Sequence, residues 1–137
     1  MADNRFELEI IVPEKVYCKK MVNSVSLMTT EGRMTILSHH TDMIANVPIS
    51  HMSINENGHS LEYAVAGGLL NIYHKENKVL LVLNAIESKD EIDLDRATLA
   101  KEKAENRLNG EKLSVREQKK AEIKLKRALN RISLLRK

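Results

Sequence analysis

The feature that most constrains this chain is a change of hydrophobic period near residue 88. Before that point apolar and polar residues alternate, as in the stretch 6–10, which is the pattern of a half-buried strand. After it, small and apolar residues recur three and four positions apart, as they do in helices that pack through one face. We therefore divide the chain into residues 1–88 and residues 89–137 and expect a different architecture in each.

The first part holds seven or more strand patterns about ten residues apart, separated by turn signals. We read Val22–Leu27 and Met34–Leu37 as strands, Asn55-Glu56-Asn57-Gly58 as a hairpin turn, and Gly67-Gly68 as a break between strands. The connections are too short for the crossover helices that join parallel strands. These patterns predict an antiparallel β-sandwich or flattened barrel.

The second part predicts two helices. The first runs from about Asp93 to Asn109 and ends at an Asn109-Gly110 C-cap, and the capping box Ser114-x-x-Glu117 opens the second. The second helix carries a heptad stripe at Ala121, Leu125, Ala128, Ile132 and Leu135. Because the intervening loop is short, the helices should form an antiparallel hairpin. The fold class is therefore α+β, a β-sandwich followed by a helical hairpin.

Charge divides the chain at the same place. Residues 1–88 carry a net charge of −3 and residues 89–137 a net charge of +6, and residues 112–137 contain ten basic and two acidic side chains. The first helix offers mainly alanine to the seam, and burial of one methyl contributes only about 0.8 kcal/mol. Such a hairpin could leave its place for an acidic surface, or it could be permanently folded. The sequence leaves both alternatives open.

Several functional classes lack their signatures. We find no nucleophile elbow, phosphate-binding loop or zinc-protease motif, so the chain is not expected to be an enzyme by itself. The five histidines have no metal-ligand spacing, and Cys18 is expected to be a packed thiol in a reducing compartment. No signal peptide or membrane span is expected. Nucleic-acid binding is a rival for the basic helix, but its cations are spread around the helix and aromatic platforms are missing.

An ordered set of motifs carries a resemblance to a known family. Three motifs follow one another in the sequence: Gly67-Gly68-Leu69-Leu70-Asn71-Ile72, the stretch Leu83–Glu87, and Glu91-Ile92-Asp93-Leu94-Asp95-Arg96-Ala97. They are preceded by Glu31–His40, which is similar to a G-x-x-G-I-L-P-G-H loop. Together with the basic tail, the set resembles the epsilon subunit of bacterial F-type ATP synthases over nearly the whole chain.

The resemblance implies a ten-stranded head that binds the gamma shaft and the membrane c-ring. It also implies a helical tail that extends to acidic lever loops of the alpha and beta catalytic-sector subunits and blocks ATP hydrolysis. The loop residues Arg33, His39 and His40 would face the ring or shaft, and Lys119, Lys120, Lys124 and Lys126 would meet the lever loops. The expected location is the cytoplasmic face of the bacterial cell membrane, with membrane contact only through the complex and no nucleic-acid partner.

The resemblance further implies a regulatory ATP site, although no cofactor is required. Arg96, Arg127 and Arg131 would contact the phosphates, and Glu87 and Asp93 would accept from the base or hold the arginines. Lys103 stands where related binders have another arginine. The alternative is that Asp93 only caps the helix and Arg96 pairs locally. Departures in the loop, among them Thr35, Ser38 and Asp42, leave open a specialised paralogous rotary ATPase, and a stand-alone ATP sensor also remains open.

Overall fold

The computed structural model describes residues 4–110 and 112–137. The chain divides into two compact units, Met1–Ser88 and Lys89–Lys137, which we describe separately. The first unit is built of strands and the second of helices. The expected fold class, a β-sandwich followed by a helical hairpin, is confirmed.

The head contains eight strands in the described part of the chain: β1 (Phe6–Val12), β2 (Lys15–Val22), β3 (Ser24–Thr29), β4 (Gly32–Ile36), β5 (Met43–Glu56), β6 (His59–Tyr73), β7 (Lys78–Leu83) and β8 (Ile86–Ser88). Their order in the sheet is β2-β1-β7-β6-β5-β3-β4, and β8 pairs with β6. All eight strands contribute to one core of twenty buried apolar residues. Every second residue of β1 is buried, so one face of this strand points into the core.

One strand pair departs from the antiparallel expectation. β1 and β7 run parallel, with Leu8 opposite Val79 and Ile10 opposite Leu81. No crossover helix is needed because five strands lie between them in the chain. The short connections exclude βαβ units, in which parallel strands follow one another in sequence, and they do not exclude this non-consecutive pair.

The turn signals were partly right. Asn57 and Gly58 both have positive φ, 55° and 83°, and form the two-residue turn between β5 and β6, as the sequence predicts. The single strand expected over residues 22–27 is wrong, because the chain turns at Asn23 between β2 and β3. The amide of Asn23 donates to the carbonyl of Asn55, which secures that turn.

The break expected at Gly67-Gly68 is also wrong, because β6 continues through both glycines. At Gly67 the strand changes partners: residues 63–65 pair with β8, and residues 68–73 pair with β7. Opposite it, the regular pairing of β5 is interrupted at Pro48, which has no amide to donate. Counting β5 and β6 as two strands each would give the ten strands that the resemblance implies.

The second unit contains a short 3₁₀ turn (Lys89–Glu91) and the helices α1 (Leu94–Gly110) and α2 (Val115–Leu135). The helices bury alanines, namely Ala97 and Ala104 of α1 and Ala121 and Ala128 of α2. The expected C-cap at Gly110 is wrong, since Gly110 belongs to the helix and its φ is not positive. At the end of the stripe Leu134 is fully buried and Leu135 only partly, a drift expected of a helix with 3.6 residues per turn.

Candidate functional site

The start of α1 is fixed by Asp93. Its carboxylate accepts a hydrogen bond from the backbone amide of Arg96 at 3.1 Å, and its carbonyl accepts from the amide of Ala97 at 3.0 Å. This satisfies donors that the first helical turn would otherwise leave without a partner, and the negative charge suits the helix N-terminus. Asp93 therefore has a capping role whether or not it also contacts a ligand.

The start of α2 is fixed by the capping box that the sequence predicts. The Ser114 hydroxyl accepts from the amide of Glu117 at 3.2 Å and lies 2.9 Å from the Glu117 carboxylate, to which it donates. Hydrogen bonds from the hydroxyl and backbone of Ser114 hold the pKa of Glu117 below its ordinary value, and Arg107 lowers that pKa further. The guanidinium of Arg107 reaches the same carboxylate at 3.2 Å and so links α1 to α2.

Between the two helices lies a groove with a cavity volume of about 550 Å³. Its α2 wall is a stripe of basic side chains spaced four, four, three and four residues apart, and its α1 wall adds two more. The stripe consists of Arg116, Lys120, Lys124, Arg127 and Arg131, and the α1 side chains are Lys103 and Arg107. Ala100, Ala104 and Ala121 line the remaining surface, so that no large side chain fills the space. Glu117 is the only acidic residue among the described residues that line the groove.

Arg127 supplies a further feature of this groove. Its Nε atom is buried and has no hydrogen-bond partner among the described residues. A buried donor without a partner is uncommon in folded proteins and is unfavourable by about 1–3 kcal/mol. Solvent does not reach this atom, so an anion could accept from it only after the side chain shifts. Arg127 nevertheless lines the groove, and a guanidinium is well suited to phosphate or carboxylate oxygens.

The residues expected at a nucleotide site are distributed unevenly. Arg127 and Arg131 line the groove together with Lys103, whereas Arg96 lies in the first turn of α1 and is not among the groove-lining residues. Glu87 belongs to β8 of the first unit. The nucleotide assignment therefore stays a prediction. Arg107 and Arg116 were missed from the sequence, although their helical spacing from Lys103 and Lys120 could have indicated a shared face.

The four lysines expected to meet acidic loops lie on different faces of α2. Lys120 and Lys124 line the groove, and Lys119 and Lys126 are exposed outside it. The description of the cations as spread around the helix was thus incomplete, because five of them share one face. Their assignment to a partner stays a prediction.

In the head, the loop that contains His39 and His40 is tied to the turn between β6 and β7. The amide of His39 donates to the Asn77 side chain at 2.7 Å, and the amide of His74 donates to Asp42 at 2.7 Å. The His74 ring nitrogen lies 3.0 Å from the carbonyl oxygen of His39, and the two imidazole rings meet edge to face. Such a network holds two exposed turns at one end of the head in a defined arrangement. Arg33 lies on β4 and is exposed.

The outer face of four neighbouring strands carries an apolar patch. Its members are Ile11, Ile44, Leu69, Leu80 and Val82, a set that we call the outer patch. The register places Val82 between Ile11 and Leu69, and Leu80 beside Asn71, which is itself opposite Ile44. Ile44 is 73% exposed.

The patch is bordered by charge. Lys78 lies 2.9 Å from Glu9 and 3.7 Å from Glu7, and these contacts raise the pKa of Lys78 and lower that of Glu9. A contiguous apolar surface with a polar border is typical of an interaction site.

No group of three or more His, Cys, Asp or Glu side chains within 4–110 and 112–137 is placed to hold a metal ion. Neither helix, over the residues described, combines the length and the apolar character that crossing a membrane requires.

Comparison with known proteins gives a consistent result for both units. Residues 5–89 match the family described as ATP synthase, Delta/Epsilon chain, beta-sandwich domain, and residues 90–135 match its long alpha-helix domain. The ATP synthase epsilon chain of Caldicellulosiruptor bescii is 40% identical over 129 residues, which cover 94% of this chain and 92% of that protein. The epsilon chain of Clostridium novyi is 35% identical over 131 residues, or 95% and 97% of the two chains.

The fold is also shared with a chain in the structure of the mitochondrial ATP synthase of Euglena gracilis. The TM-score is 0.81 at 19% sequence identity, with 98% of this chain and 84% of that chain covered. Since the two family domains occur in order along almost the whole sequence, and bacterial epsilon chains align with it nearly end to end, this chain belongs to the ATP synthase delta/epsilon chain family, as a bacterial F-type epsilon subunit.

Proposed function

We propose that this chain works in the central stalk of an F-type ATP synthase, coupling rotation to ATP synthesis and restraining ATP hydrolysis through its basic helices. It would carry no catalytic group of its own and would sit at the cytoplasmic face of the bacterial membrane, held there by the complex. The observation that carries the proposal is the family match, which includes the head and the hairpin in order.

The outer patch supports a docking role for the head. Ile44, Leu69 and Val82 are exposed by 73%, 38% and 42%, and burying them against a helical shaft would be favourable at about 25 cal/mol per Å² of apolar surface. We assign this face to the gamma shaft and the loop with His39 and His40 to the c-ring. A charge placed in the patch would have to be buried without a partner in the assembled stalk.

The docking assignment can be tested with a pair of variants. Leu69→Asp should abolish co-purification with gamma, whereas Leu61→Asp, at an exposed apolar position eight residues away on the same strand β6, should leave it unchanged. Urea unfolding of both variants would check that each head is intact. Retention of gamma by a folded Leu69→Asp variant would refute this face as the shaft contact.

The hairpin supports a regulatory role. Residues 112–137 carry eight net positive charges, and most of the buried seam between the helices is alanine. A partner surface rich in carboxylates would attract this segment and could compete with the contacts between α1 and α2. We propose that the acidic loops of the catalytic-sector subunits are that surface, and that the extended hairpin blocks rotation in the direction of hydrolysis.

The inhibitory role is tested by ATPase measurements on the catalytic sector reconstituted with gamma. The full chain should lower the hydrolysis rate, and a truncation containing residues 1–88 should bind the shaft without lowering it. A variant in which Lys119 and Lys126 are replaced by Glu should inhibit less than the full chain, because both lysines are exposed outside the groove. Equal inhibition by the truncation would rule out the hairpin as the inhibitory element.

ATP is proposed as a regulatory ligand of the folded hairpin. Lys103, Arg127 and Arg131 share one groove, where their positive charges would attract the triphosphate. Calorimetry should detect ATP binding to the full chain and weaker binding to Arg127→Ala. Lys126→Ala is the matched control, since it removes one charge from the neighbouring position outside the groove. Equal ATP affinity in both variants would remove the groove from the nucleotide site.

Co-purification also separates the remaining alternatives. A chain isolated under native conditions should bring down gamma and the two large nucleotide-binding subunits. Isolation as a free monomer that binds ATP would favour the stand-alone sensor, and a different set of rotary subunits would favour the specialised paralogue.

A further inference from the structure

The basic stripe of α2 is longer than a nucleotide triphosphate requires. From Arg116 to Arg131 it extends over 15 residues, or about 22 Å at 1.5 Å per residue. The proposed ATP phosphates would occupy only the end with Arg127 and Arg131, since the Arg107–Glu117 contact places Lys103 one turn along, nearer to Lys120 and Lys124. Arg116 and Lys120 lie two to four turns away from that end, on the same wall of the groove.

Basic side chains outnumber acidic ones among the described residues that line the groove. Seven basic side chains line it, and the single acidic side chain among the described lining residues is already engaged by Ser114 and Arg107. Within the described ranges, Lys103, Arg116, Lys120 and Lys124 form no ion pair. Repulsion among these cations disfavours the closed hairpin, and a bound polyanion would remove that repulsion.

The shape of the groove restricts the class of polyanion. Alanines form the part of its surface between the basic walls, and helices packed through alanine lie about 8–10 Å apart. An acidic helix would lie over both helices and present carboxylates from one face only, and nucleic acid carries a sugar and a base with every charge. A thin, unbranched chain with a negative charge at every unit fits both the width and the length of the stripe.

We propose that this groove binds linear inorganic polyphosphate, a condensed phosphate longer than the triphosphate of a nucleotide. The inference deepens the proposed anion regulation, because the longer chain would share Arg127 and Arg131 with ATP and compete with it. A ligand that binds only the closed hairpin stabilises that state by RT ln(1 + [L]/Kd). Polyphosphate would thus hold α1 and α2 together and oppose the inhibitory extension.

Calorimetry on the full chain provides the test, with a polyphosphate of about 15 units, tripolyphosphate and ATP as ligands at several salt concentrations. The groove variant carries Arg116→Ala and Lys120→Ala. The control variant carries Lys119→Ala and Lys126→Ala, which removes the same charge from outside the groove. Helix content of both variants is measured by circular dichroism at 222 nm.

We expect the groove variant to bind the long chain about tenfold more weakly, since two charge-assisted contacts are lost. By analogy with phosphate contacts in nucleic acids, the slope of the logarithm of the binding constant against the logarithm of the salt concentration should become shallower by about one for each cation removed. Its binding of tripolyphosphate should be unchanged. The control variant should bind all three ligands as the parent chain does.

Three results would overturn the inference. They are equal weakening in the control variant, equal affinity of the parent for tripolyphosphate and the long chain, and binding of poly-glutamate as tight as that of polyphosphate. Failure of the proposed ATP site is distinguishable from these results. In that case ATP would not bind, while the long chain would still bind in a manner that depends on Arg116 and Lys120.

Discussion

Replacement of Gly68 by alanine should destabilise the head far more than replacement of Gly58, although both glycines have positive φ. A Cβ at Gly68 would lie 2.1 Å from the carbonyl oxygen of Val82 and 2.8 Å from the Cα of Leu83. Both are backbone atoms of β7, so no side-chain rotation relieves the overlap. A Cβ at Gly58 would meet nothing within 4 Å.

The magnitudes follow from these distances. At Gly58, φ is 83° and alanine adds only the strain of the left-handed region, about 1–2 kcal/mol. At Gly68, β6 and β7 must separate by roughly 1 Å where Leu83 is buried. Overpacking of that kind costs about 1–3 kcal/mol, and each ladder hydrogen bond left unmade adds about 1–3 kcal/mol. We expect a total of about 3–5 kcal/mol, a large part of the stability of a small domain.

The assay is urea unfolding followed by tyrosine fluorescence. The chain has no Trp, and its three tyrosines, Tyr17, Tyr63 and Tyr73, all lie in the head, so the signal excludes the hairpin. With a denaturant slope of about 1 kcal/mol per M, Gly58→Ala should lower the midpoint by about 1–2 M. Gly68→Ala should lower it by about 3–5 M or leave the head unfolded without urea. Equal midpoints for the two variants would refute the steric argument.

Three further predictions concern the hairpin and the thiol. Ser114→Ala should destabilise the hairpin by about 1 kcal/mol, as measured by thermal loss of the 222 nm signal, whereas Ser133→Ala, which removes an exposed hydroxyl within α2, should change it less. The folded-state pKa of Glu117 lies below its ordinary value of 4.5, so the Glu117 carboxylate stabilises the hairpin above pH 4.5, and this stabilisation is lost as the pH falls through the folded pKa. Helicity should therefore decrease on acidification. The decrease should be smaller in Ser114→Ala, which lacks the hydroxyl that lowers this pKa. Burial raises the pKa of the Cys18 thiol above 9.0, so alkylation at pH 8 should be slower in the native chain than in urea, and equal rates would contradict this.

Local signals in the sequence predicted those parts of the fold that depend on neighbouring residues. The turn at Asn57-Gly58 needs positive φ at both positions, which these residue types accept readily, and the capping box at Ser114 is closed within four residues. Both could be read without knowledge of the rest of the chain.

The features that were missed depend on distant residues. Gly67-Gly68 has the composition of a break, but β6 continues there because two different strands, β7 and β8, supply its partners on either side. The parallel pairing of β1 with β7 has no local signature at all. Similarly, the basic stripe of α2 borders a groove only because α1 contributes Lys103 and Arg107 from the opposite wall.

The parallel pairing also has a consequence for how the chain is made. Strand β1 leaves the ribosome before β7, which ends only at Leu83. The hairpin β1–β2 therefore cannot pair with β7 until nearly the whole head has been synthesised. Non-local closure of this kind slows folding and leaves strand edges exposed in the meantime. Because the last strand of the head ends at Ser88, the whole head is synthesised before the hairpin. The head can therefore fold without waiting for the hairpin. Evolution could therefore lengthen or shorten the hairpin, or change its sequence, without disturbing the folding of the head that precedes it.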